Sequence, residues 1–306
     1  MRLKARTFLL AALLLCYGGA ARARDAAQDT QWDKANDEGE VAFARGDYEK
    51  AERKHLEALK HAERIGAKSP QRAGTLTKLA AVYERQQKFD EAEGAYRRAV
   101  EAAEAMVAAK DSEFAMFAPD MLASCLERLA DFLCERRKFS DAEATYLRAL
   151  DVLTHIAVKK EETPKTQDEW IGFLVKATAG GAQVRLAGVS DKLATLYLVQ
   201  NKFAEAEPVF KLSIATWERI ERVREHPKLA VTLENLGVLY ARQGRFAEAE
   251  PHFQRALQIY EETLGAEHVQ VAKTLETFAM LLGKLGREAE ASAALERARA
   301  IRGKTR

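Results

Sequence analysis

The chain has 306 residues, of which 47% are hydrophobic and 31% charged, so it can bury a large core and is too apolar to be broadly disordered. Only 6 prolines and 17 glycines interrupt a sequence rich in Ala, Leu, Glu, Lys, Arg and Gln, and this composition favours helices over strands. The formal net charge of +2 gives no reason to expect a nucleic-acid-binding protein, because such proteins concentrate positive charge on one face.

Residues 1–23 are predicted to be a secretory signal peptide. Three positive charges lie within residues 2–6, residues 7–17 are almost wholly apolar, and Ala21 and Ala23 supply small residues before a cleavage point. The apolar run is well short of the roughly 20 residues that span a bilayer. Cleavage is therefore the preferred interpretation, and an uncleaved N-terminal anchor is the alternative.

Cleavage would leave residues 24–30 as a linker and would remove four basic residues, namely Arg2, Lys4, Arg6 and Arg22. Subtracting these four from the 48 Lys and Arg residues leaves 44 against 46 Asp and Glu, a net charge near −2. We therefore expect an exported protein, periplasmic or secreted, with no nucleic-acid partner and no stable membrane span after cleavage.

Six similar segments recur along the rest of the chain. In each segment a polar turn is followed by an aromatic position and, three residues later, by an alanine. The aromatic positions are Tyr48, Phe89, Phe139, Phe203 and Phe246, with Glu288 in the sixth copy. A small residue precedes them by nine positions: Gly39, Ala80, Ala130, Ala194, Gly237 and Ala279. Because a side chain no larger than a methyl group lets two helices approach closely, each segment predicts a helical hairpin.

The second helix of each predicted hairpin repeats its own pattern after the alanine. Four residues later come large side chains: His55, Tyr96, Tyr146, Phe210, Phe253 and Leu295. Seven residues later come small ones: Ala58, Ala99, Ala149, Ser213, Ala256 and Ala298. These spacings place the three positions on one helical face, which we expect to pack on the partner helix and the next hairpin. The sequence therefore predicts an all-α protein.

This order of small residue, turn, aromatic residue and alanine resembles the tetratricopeptide-repeat (TPR) family. The stretch from His226 to Gly265 is similar to the 42-residue repeats of kinesin light chains, and His268 follows His226 by 42 residues. The steps between the small residues are 41, 50, 64, 43 and 42, so two joints carry insertions. The resemblance implies a right-handed superhelical solenoid of about six hairpins, since one hairpin alone cannot bury both of its apolar faces.

The resemblance covers residues 31–301 and leaves a short tail at 302–306. The implied repeats lie near 31–66, 71–109, 120–158, 184–222, 227–264 and 268–301. The first and last repeats deviate most from the pattern, and we expect them to be caps, because end repeats face solvent.

In the TPR family the first helix of each hairpin lines a concave groove, so the resemblance implies peptide-binding positions on those helices. The positions are Thr77, Lys78, Glu127, Arg128, Asp191, Lys192, Glu234, Asn235, Arg242 and Glu276. Asn235 resembles the kinesin-light-chain asparagine that holds a peptide backbone, and the alternative is a solvated helix residue. Family members that grip a terminal carboxylate use a Lys and an Asn four residues apart. This chain has Asn36 and Glu40 there, so we do not expect that ligand.

The two insertions lie at residues 110–119 and 159–183. We expect the first to extend the preceding helix. The second contains Trp170, Phe173 and Leu174, which are candidate ligand contacts because insertions in repeat proteins often map to the binding side. The alternative is an extra helix that fills a break in the stack.

The sequence contains no pattern typical of catalysis or metal binding. Its six histidines never fall at the i, i+4 spacing of a helical zinc site, and Gly303-Lys304-Thr305 lacks the leading glycine of a phosphate-binding loop. Cys125 and Cys134 are nine residues apart on one predicted helix, so they cannot bridge each other. We predict a non-catalytic scaffold, without cofactor or metal, for an unidentified protein or peptide. The alternative is a structural or self-assembling component of an envelope complex, acting through the convex face or the end repeats.

Overall fold

The structure is a computed structural model that describes residues 30–66, 69–109, 114–161, 169–220 and 226–304, and the side chains of 157–180 lie outside this description. The predicted signal peptide also lies outside the described residues. Within the described ranges the regular structure is entirely helical, which confirms the all-α prediction. The chain divides into two compact units between Arg137 and Lys138.

Unit 1 contains five described helices: α1 (30–44), α2 (Tyr48–Ile65), α3 (Pro70–Arg85), α4 (Phe89–Ala108) and α5 (Ala118–Glu135). Unit 2 contains seven: α6 (Phe139–Glu161), α7 (Glu169–Val199), α8 (Phe203–Arg219), α9 (Pro227–Arg242), α10 (Phe246–Leu264), α11 (Val269–Lys284) and α12 (Glu288–Lys304).

Consecutive helices form hairpins within each unit. In unit 1, α1 packs on α2 and α3 packs on α4, whereas unit 2 pairs α7 with α8, α9 with α10 and α11 with α12. We call the earlier helix of each hairpin its first helix and the later one its second helix. Helix α3 also packs on α2 and α5, α9 on α8 and α7, and α11 on α10. Each hairpin therefore stacks on its sequence neighbour, as the repeat pattern predicts.

The positions of the repeat pattern form the interior of the hairpins. The alanine after each turn is at most 6% exposed in all six copies, and the small residue seven positions later is fully buried in each. The rings of Tyr96, Tyr146, Phe210 and Phe253 are at most 3% exposed. His55 is buried as well, whereas Leu295 in the sixth copy is half-buried, so the predicted packing face is confirmed in full for the first five copies.

A left-handed residue closes the turn inside each hairpin. Gly46, Gly244 and Gly286 have positive φ angles near 75°, and Gln87, Arg137 and Asn201 adopt φ near 60° at the equivalent position. After α3, the Lys88 amide donates to the Tyr83 carbonyl at 2.9 Å. After α9, the Arg245 amide donates to the Tyr240 carbonyl at the same distance. Both are Schellman caps, which satisfy carbonyl groups at a helix end and reverse the chain.

A glutamate directly after the buried alanine joins each of four hairpin turns to the preceding second helix. Its carboxylate accepts a hydrogen bond from the basic residue before the next aromatic position. The pairs are Glu52 with Lys88 (2.8 Å), Glu143 with Lys202 (2.7 Å), Glu207 with Arg245 (2.8 Å) and Glu250 with Arg287 (2.6 Å). Three of the cations also lie over the tyrosine ring of their own first helix, at 4.2 to 5.6 Å from the ring centroid. We call this series of contacts the glutamate ladder.

The insertions differ from the sequence expectations. Helix α4 ends at Ala108, and residues 114–117 form a turn before α5, so the first insertion does not extend the preceding helix. The second insertion runs into α7, whose 31 residues begin at Glu169, well before the predicted start of a repeat near 184. The side chains of Trp170, Phe173 and Leu174 fall outside the described residues, so their proposed ligand contacts stay a prediction.

Among the helices that the structure describes, none is both long and apolar enough to cross a membrane. Cys125 is buried on α5 and Cys134 is half-buried on the same helix, and no disulfide joins them, as their spacing predicts.

Candidate functional site

A cavity of about 220 Å³ opens on the first-helix face of unit 1. It lies between α1, α3 and α5, and the second helix α2 contributes its floor. The lining residues are Glu40, Phe43, His55, Thr77, Lys78, Ala81 and Arg128. Three of the predicted binding residues, namely Thr77, Lys78 and Arg128, therefore share one site.

Lys78 is the best-anchored cation of this unit 1 cavity. Its Nζ donates to Asn36 Oδ1 at 2.9 Å and forms an ion pair with Glu40. The hydrogen bond from Lys78 lowers the pKa of the Glu40 carboxyl below its usual value. Part of the positive charge of Lys78 is therefore neutralised by the protein itself, whereas Arg128 is exposed at the rim.

His55 forms the floor of the same cavity. It is only 1% exposed, and its Nδ1 has no hydrogen-bond partner within the described part of the chain. Burial lowers the pKa of His55 to about 4, with the nearby Lys78 charge acting in the same direction. The imidazole is therefore neutral near pH 7, and it can still donate or accept a hydrogen bond.

Thr77 lies where the first helices α3 and α5 meet. The Thr77 hydroxyl donates to the Ala73 carbonyl at 3.0 Å and lies 3.9 Å from Cys125 Sγ on α5. Glu127 is half-buried on α5. These side chains contribute to helix packing as well as to the groove face.

The acidic positions of unit 2 pack against neighbouring helices. Asp191 on α7 is half-buried beside Thr232 of α9, and burial raises the pKa of Asp191 to about 6. Glu234 on α9 accepts from Thr274 at 3.2 Å and from Gln270 at 3.5 Å, both on α11. Burial likewise raises the pKa of Glu234. The residue three positions before the small residue thus faces the next first helix.

Glu276 makes a different contact, because it belongs to the last hairpin. Its two carboxylate oxygens accept from Arg302 Nε and Nη2, each at 2.7 Å. This bidentate pair ties α11 to α12. Glu276 is therefore held by its own hairpin.

Asn235, Lys192 and Arg242 lie nearer the groove surface. Asn235 Nδ2 makes a long 3.5 Å contact to Thr195 Oγ1 of the preceding first helix. Lys192 is half-buried on α7. Arg242 is exposed, and its guanidinium donates to the Leu198 carbonyl at 3.0 Å and to Asn201 Oδ1 at 2.6 Å. Arg242 therefore links α9 to the end of α7 and the turn that follows it.

A second cavity, of about 270 Å³, opens between α9, α10 and α11 in unit 2. It is lined by Val238, Ala241, Arg242, Phe246, Phe253, Thr277, Met280, Leu281 and Lys284. Of the predicted site residues, Arg242 alone lines it. Sequence reasoning missed the other members because Phe253 and Leu281 match buried positions of the repeat and Met280 has no polar group. The signal that could have found the cavity is Gly237, because a glycine at the small-residue position lets the Phe253 ring, which lines the cavity, pack directly on the backbone of α9.

The two cavities offer cations, hydrogen-bonding groups and apolar surface, which suit non-covalent recognition. Within the described ranges, no group of three or more His, Cys, Asp or Glu side chains is placed to hold a metal ion.

The helical hairpins and their buried repeat positions agree with a comparison of protein families. The sequence model of the tetratricopeptide repeat family matches residues 34–105, 185–262 and 228–304, which together make up more than half of the chain. The chain belongs to this family. Its repeat scaffold fits the binding of protein or peptide partners, which is the usual role of TPR proteins.

Solved structures of low sequence identity also match the chain. BtubC (BKLC) from P. vanneervenii is 20% identical over 91% of this chain and 92% of that chain, with a TM-score of 0.62. The apo form of RapI is 14% identical over 90% and 98%, with a TM-score of 0.58. A putative kinesin light chain of Podosopora anserina with nearly identical TPR-like repeats is 21% identical over 78% and 98%, at a TM-score of 0.46. A comparison with curated proteins found no match. At these identities the likeness to BtubC (BKLC) and RapI concerns the fold.

Proposed function

We propose that this TPR protein is a non-catalytic scaffold that binds a polypeptide partner on the first-helix faces of its repeats. The observation that carries the proposal is the presence, in each unit, of an open cavity that lies between successive first helices and is floored by a ring from a second helix. Preformed concave sites with a few placed polar groups suit the side chains of an extended peptide.

The binding proposal is tested by selecting peptides from a random library on the immobilised protein without residues 1–23. Selected peptides are then resynthesised with a photoreactive group, and the crosslinked positions are mapped by mass spectrometry. We expect crosslinks on α3, α5, α9 and α11. Crosslinks confined to second helices, or a library that yields no enriched peptide, would contradict the proposal.

A pair of charge reversals adds a matched control in unit 1. Arg128→Glu alters the cavity rim, and Arg53→Glu alters an exposed position on α2 that does not line the cavity. If peptides occupy the cavity, the first variant changes their affinity and the second does not. Equal effects of both variants would indicate long-range electrostatics rather than contact.

We also propose that the scaffold acts in the cell envelope or outside the cell. The support is the charged, then apolar, then small-residue order of residues 1–23. Fractionation of expressing cells, with mass analysis of the N-terminus, tests this. We expect a protein that begins at Arg24 outside the cytoplasm, and retention of an intact N-terminus in the cytoplasm would contradict it.

A self-assembling scaffold is the second candidate, because exposed leucines lie on α2, α6 and α8. Leu56, Leu147 and Leu212 are 37%, 48% and 42% exposed. Light scattering separates the two functions. Oligomers that dissociate when Leu147 and Leu212 are replaced by Glu would favour assembly, and a monomer would favour partner binding.

A further inference from the structure

Two of the first helices in unit 2 begin directly after a histidine. His226 is the N-cap residue of α9, and His268 is the N-cap residue of α11. In both, the imidazole Nδ1 accepts a hydrogen bond from the backbone N–H two residues later, at 3.1 Å from Lys228 N and at 3.1 Å from Gln270 N. The imidazole therefore takes the place of the Ser, Thr, Asp or Asn side chain that usually caps a helix.

An imidazole can cap a helix in one protonation state alone. Nδ1 accepts a hydrogen bond when the ring is neutral and its proton is on Nε2. Once the ring is positively charged, both nitrogens carry protons, so Nδ1 of His226 no longer accepts from the Lys228 amide. The cation also lies at the positive end of the α9 dipole, which disfavours it. Acid therefore removes this cap, whereas an Asn or Ser cap does not titrate.

The two capping histidines differ in their surroundings. The ring of His226 stacks on the indole of Trp217 at the end of α8, with centroids 5.5 Å apart and planes 3° from parallel. Trp217 is 1% exposed and belongs to the apolar core of unit 2 together with Leu229 and Leu233 of α9. His268 is exposed at the start of α11. His226 thus joins the first turn of α9 to the core, and His268 makes the same cap at the surface.

The charges around His226 favour the neutral ring. Burial lowers its pKa below the usual 6.5, and the positive charge of Lys228 acts in the same direction. Among the described residues, no carboxylate shifts this pKa. The indole face of Trp217 attracts a cation, but burial, Lys228, the helix dipole and the loss of the cap all oppose it. The stabilisation by the neutral cap is therefore complete above pH 6.5 and is lost as the pH falls through the folded pKa.

We propose that the joint between α8 and α9 is a proton-sensitive switch, in which neutral His226 holds the first turn of α9 on Trp217 and protonation in a mildly acidic medium releases that turn. Each hairpin of a repeat stack contacts its neighbours, so a looser joint changes how the α9–α10 hairpin is held on α8 without unfolding either. This device is independent of which partner the scaffold binds.

The test uses the full-length chain with Trp32 and Trp170 replaced by Phe, which leaves Trp217 as the only one of the three tryptophans. In this parent protein, His226→Asn keeps a capping oxygen that does not titrate. His268→Asn makes the same change at the exposed cap and is the matched control. Circular dichroism verifies folding, and His226→Ser supplies a second capping variant if the Asn variant does not fold.

The first measurement is the fluorescence of Trp217 between pH 8 and pH 4. We expect it to titrate with a midpoint below 6.5 in the parent and in His268→Asn, because the stacked imidazole becomes charged, and to lose this transition in His226→Asn. A flat signal in the parent, or the same transition in His226→Asn, would overturn the proposal.

The second measurement is amide hydrogen exchange of the first turn of α9 at pH 7 and pH 5, corrected for the intrinsic effect of pH on exchange. Protection should fall about fivefold or more at pH 5 in the parent and in His268→Asn, and should stay constant in His226→Asn. Equal protection at the two pH values in the parent would show that the cap does not hold this turn. Both measurements use the protein alone, so a failed peptide selection leaves their outcome unaffected.

Discussion

His55 makes the first hairpin sensitive to pH in a way that the next four repeats are not. It occupies the position of Tyr96, Tyr146, Phe210 and Phe253, and it packs on Gly39 as Phe253 packs on Gly237. An imidazole is smaller than a phenyl ring and carries a nitrogen that must stay neutral when buried. The first hairpin therefore keeps the contact between a glycine and a ring, but its core contains a titratable group.

His55→Phe should remove a pH-dependent part of the stability. The folded pKa of His55 is lowered from 6.5 to about 4 by burial, so the unfolded chain binds the proton first. The neutral-histidine contribution is complete above pH 6.5 and is lost as the pH falls toward 4. Between pH 7 and pH 5 we therefore expect the free energy of unfolding of the parent protein to fall by about 1–2 kcal/mol more than that of the variant.

Urea unfolding of both proteins at pH 7 and pH 5 measures this difference. The carboxyl groups are the same in both proteins, so their contributions to the pH dependence of stability cancel in the comparison. If the parent and His55→Phe lose equal stability between the two pH values, His55 is not buried as a neutral group.

Gln87 is strained, because it adopts the left-handed conformation at φ of 61° and its exposed side chain makes no hydrogen bond within the part of the chain that the structure describes. Glycine occupies the equivalent position in three other turns. Gln87→Gly should therefore raise the free energy of unfolding by about 1 kcal/mol. Thermal melting checks this, with Gln87→Ala as the control that keeps a Cβ atom. Equal melting temperatures for the two variants would mean that the turn stores no such strain.

At the scale of the helices, the glutamate ladder explains why basic residues recur before the aromatic positions. Glu207 on α8 accepts from Arg245, Tyr240 and Lys211, so one carboxylate joins α8 to the turn and first helix of the next hairpin. The ladder also explains why these cations do not belong to the groove. They are already engaged between hairpins.

Replacing Glu207 by Gln should weaken the joint between α8 and the following hairpin. The hydrogen bond from Arg245 lowers the pKa of Glu207 to about 2, so its contribution is present above about pH 4.5 and lost as the pH falls toward 2. Partial exposure limits the expected loss at pH 7 to about 1 kcal/mol or less.

Glu248→Gln is the matched control for this joint. Glu248 also bonds to Arg245, at 2.6 Å, but within one hairpin. Chemical unfolding should show a larger loss for Glu207→Gln than for Glu248→Gln. The reverse order would show that the ladder contact between hairpins contributes little.

The acidic residues three positions before the small residue make contacts that the repeat spacing does not predict. Asp191 and Glu234 were expected to line the groove, and their role in binding stays a prediction. In the structure Asp191 is half-buried beside Thr232, and Glu234 accepts a hydrogen bond from Thr274 on the next first helix. Neighbouring first helices lie side by side, so a shift of one residue around the helix separates a packed position from an open one. Sequence spacing alone does not resolve that difference.

Across the molecule, burial differs strongly between hairpins. Eight of the 16 residues of α9 are buried, and only three of the 17 residues of α12 are, namely Ala291, Ala298 and Ile301. In a stack of repeats each hairpin depends on its neighbours, and the last helix covers fewer apolar groups than an interior one.

Amide hydrogen exchange should therefore be faster in α12 than in α9 and α10. Exchange followed by mass spectrometry at neutral pH measures it, and peptides from α9 serve as the internal reference. Equal protection of α12 and α9 would indicate that α12 is covered by another surface, such as a second copy of the chain.

The sequence by itself determined the all-α class, the hairpin turns and the buried face, because these depend on local spacing that repeats in six copies. It also placed Lys78, Arg128 and Arg242 on the first helices where cavities are found. Only the tertiary structure decided which charges are engaged between hairpins and which are left open. It likewise revealed the apolar cavity over Gly237, since that site combines α9, α10 and α11 and depends on how closely a ring approaches a backbone.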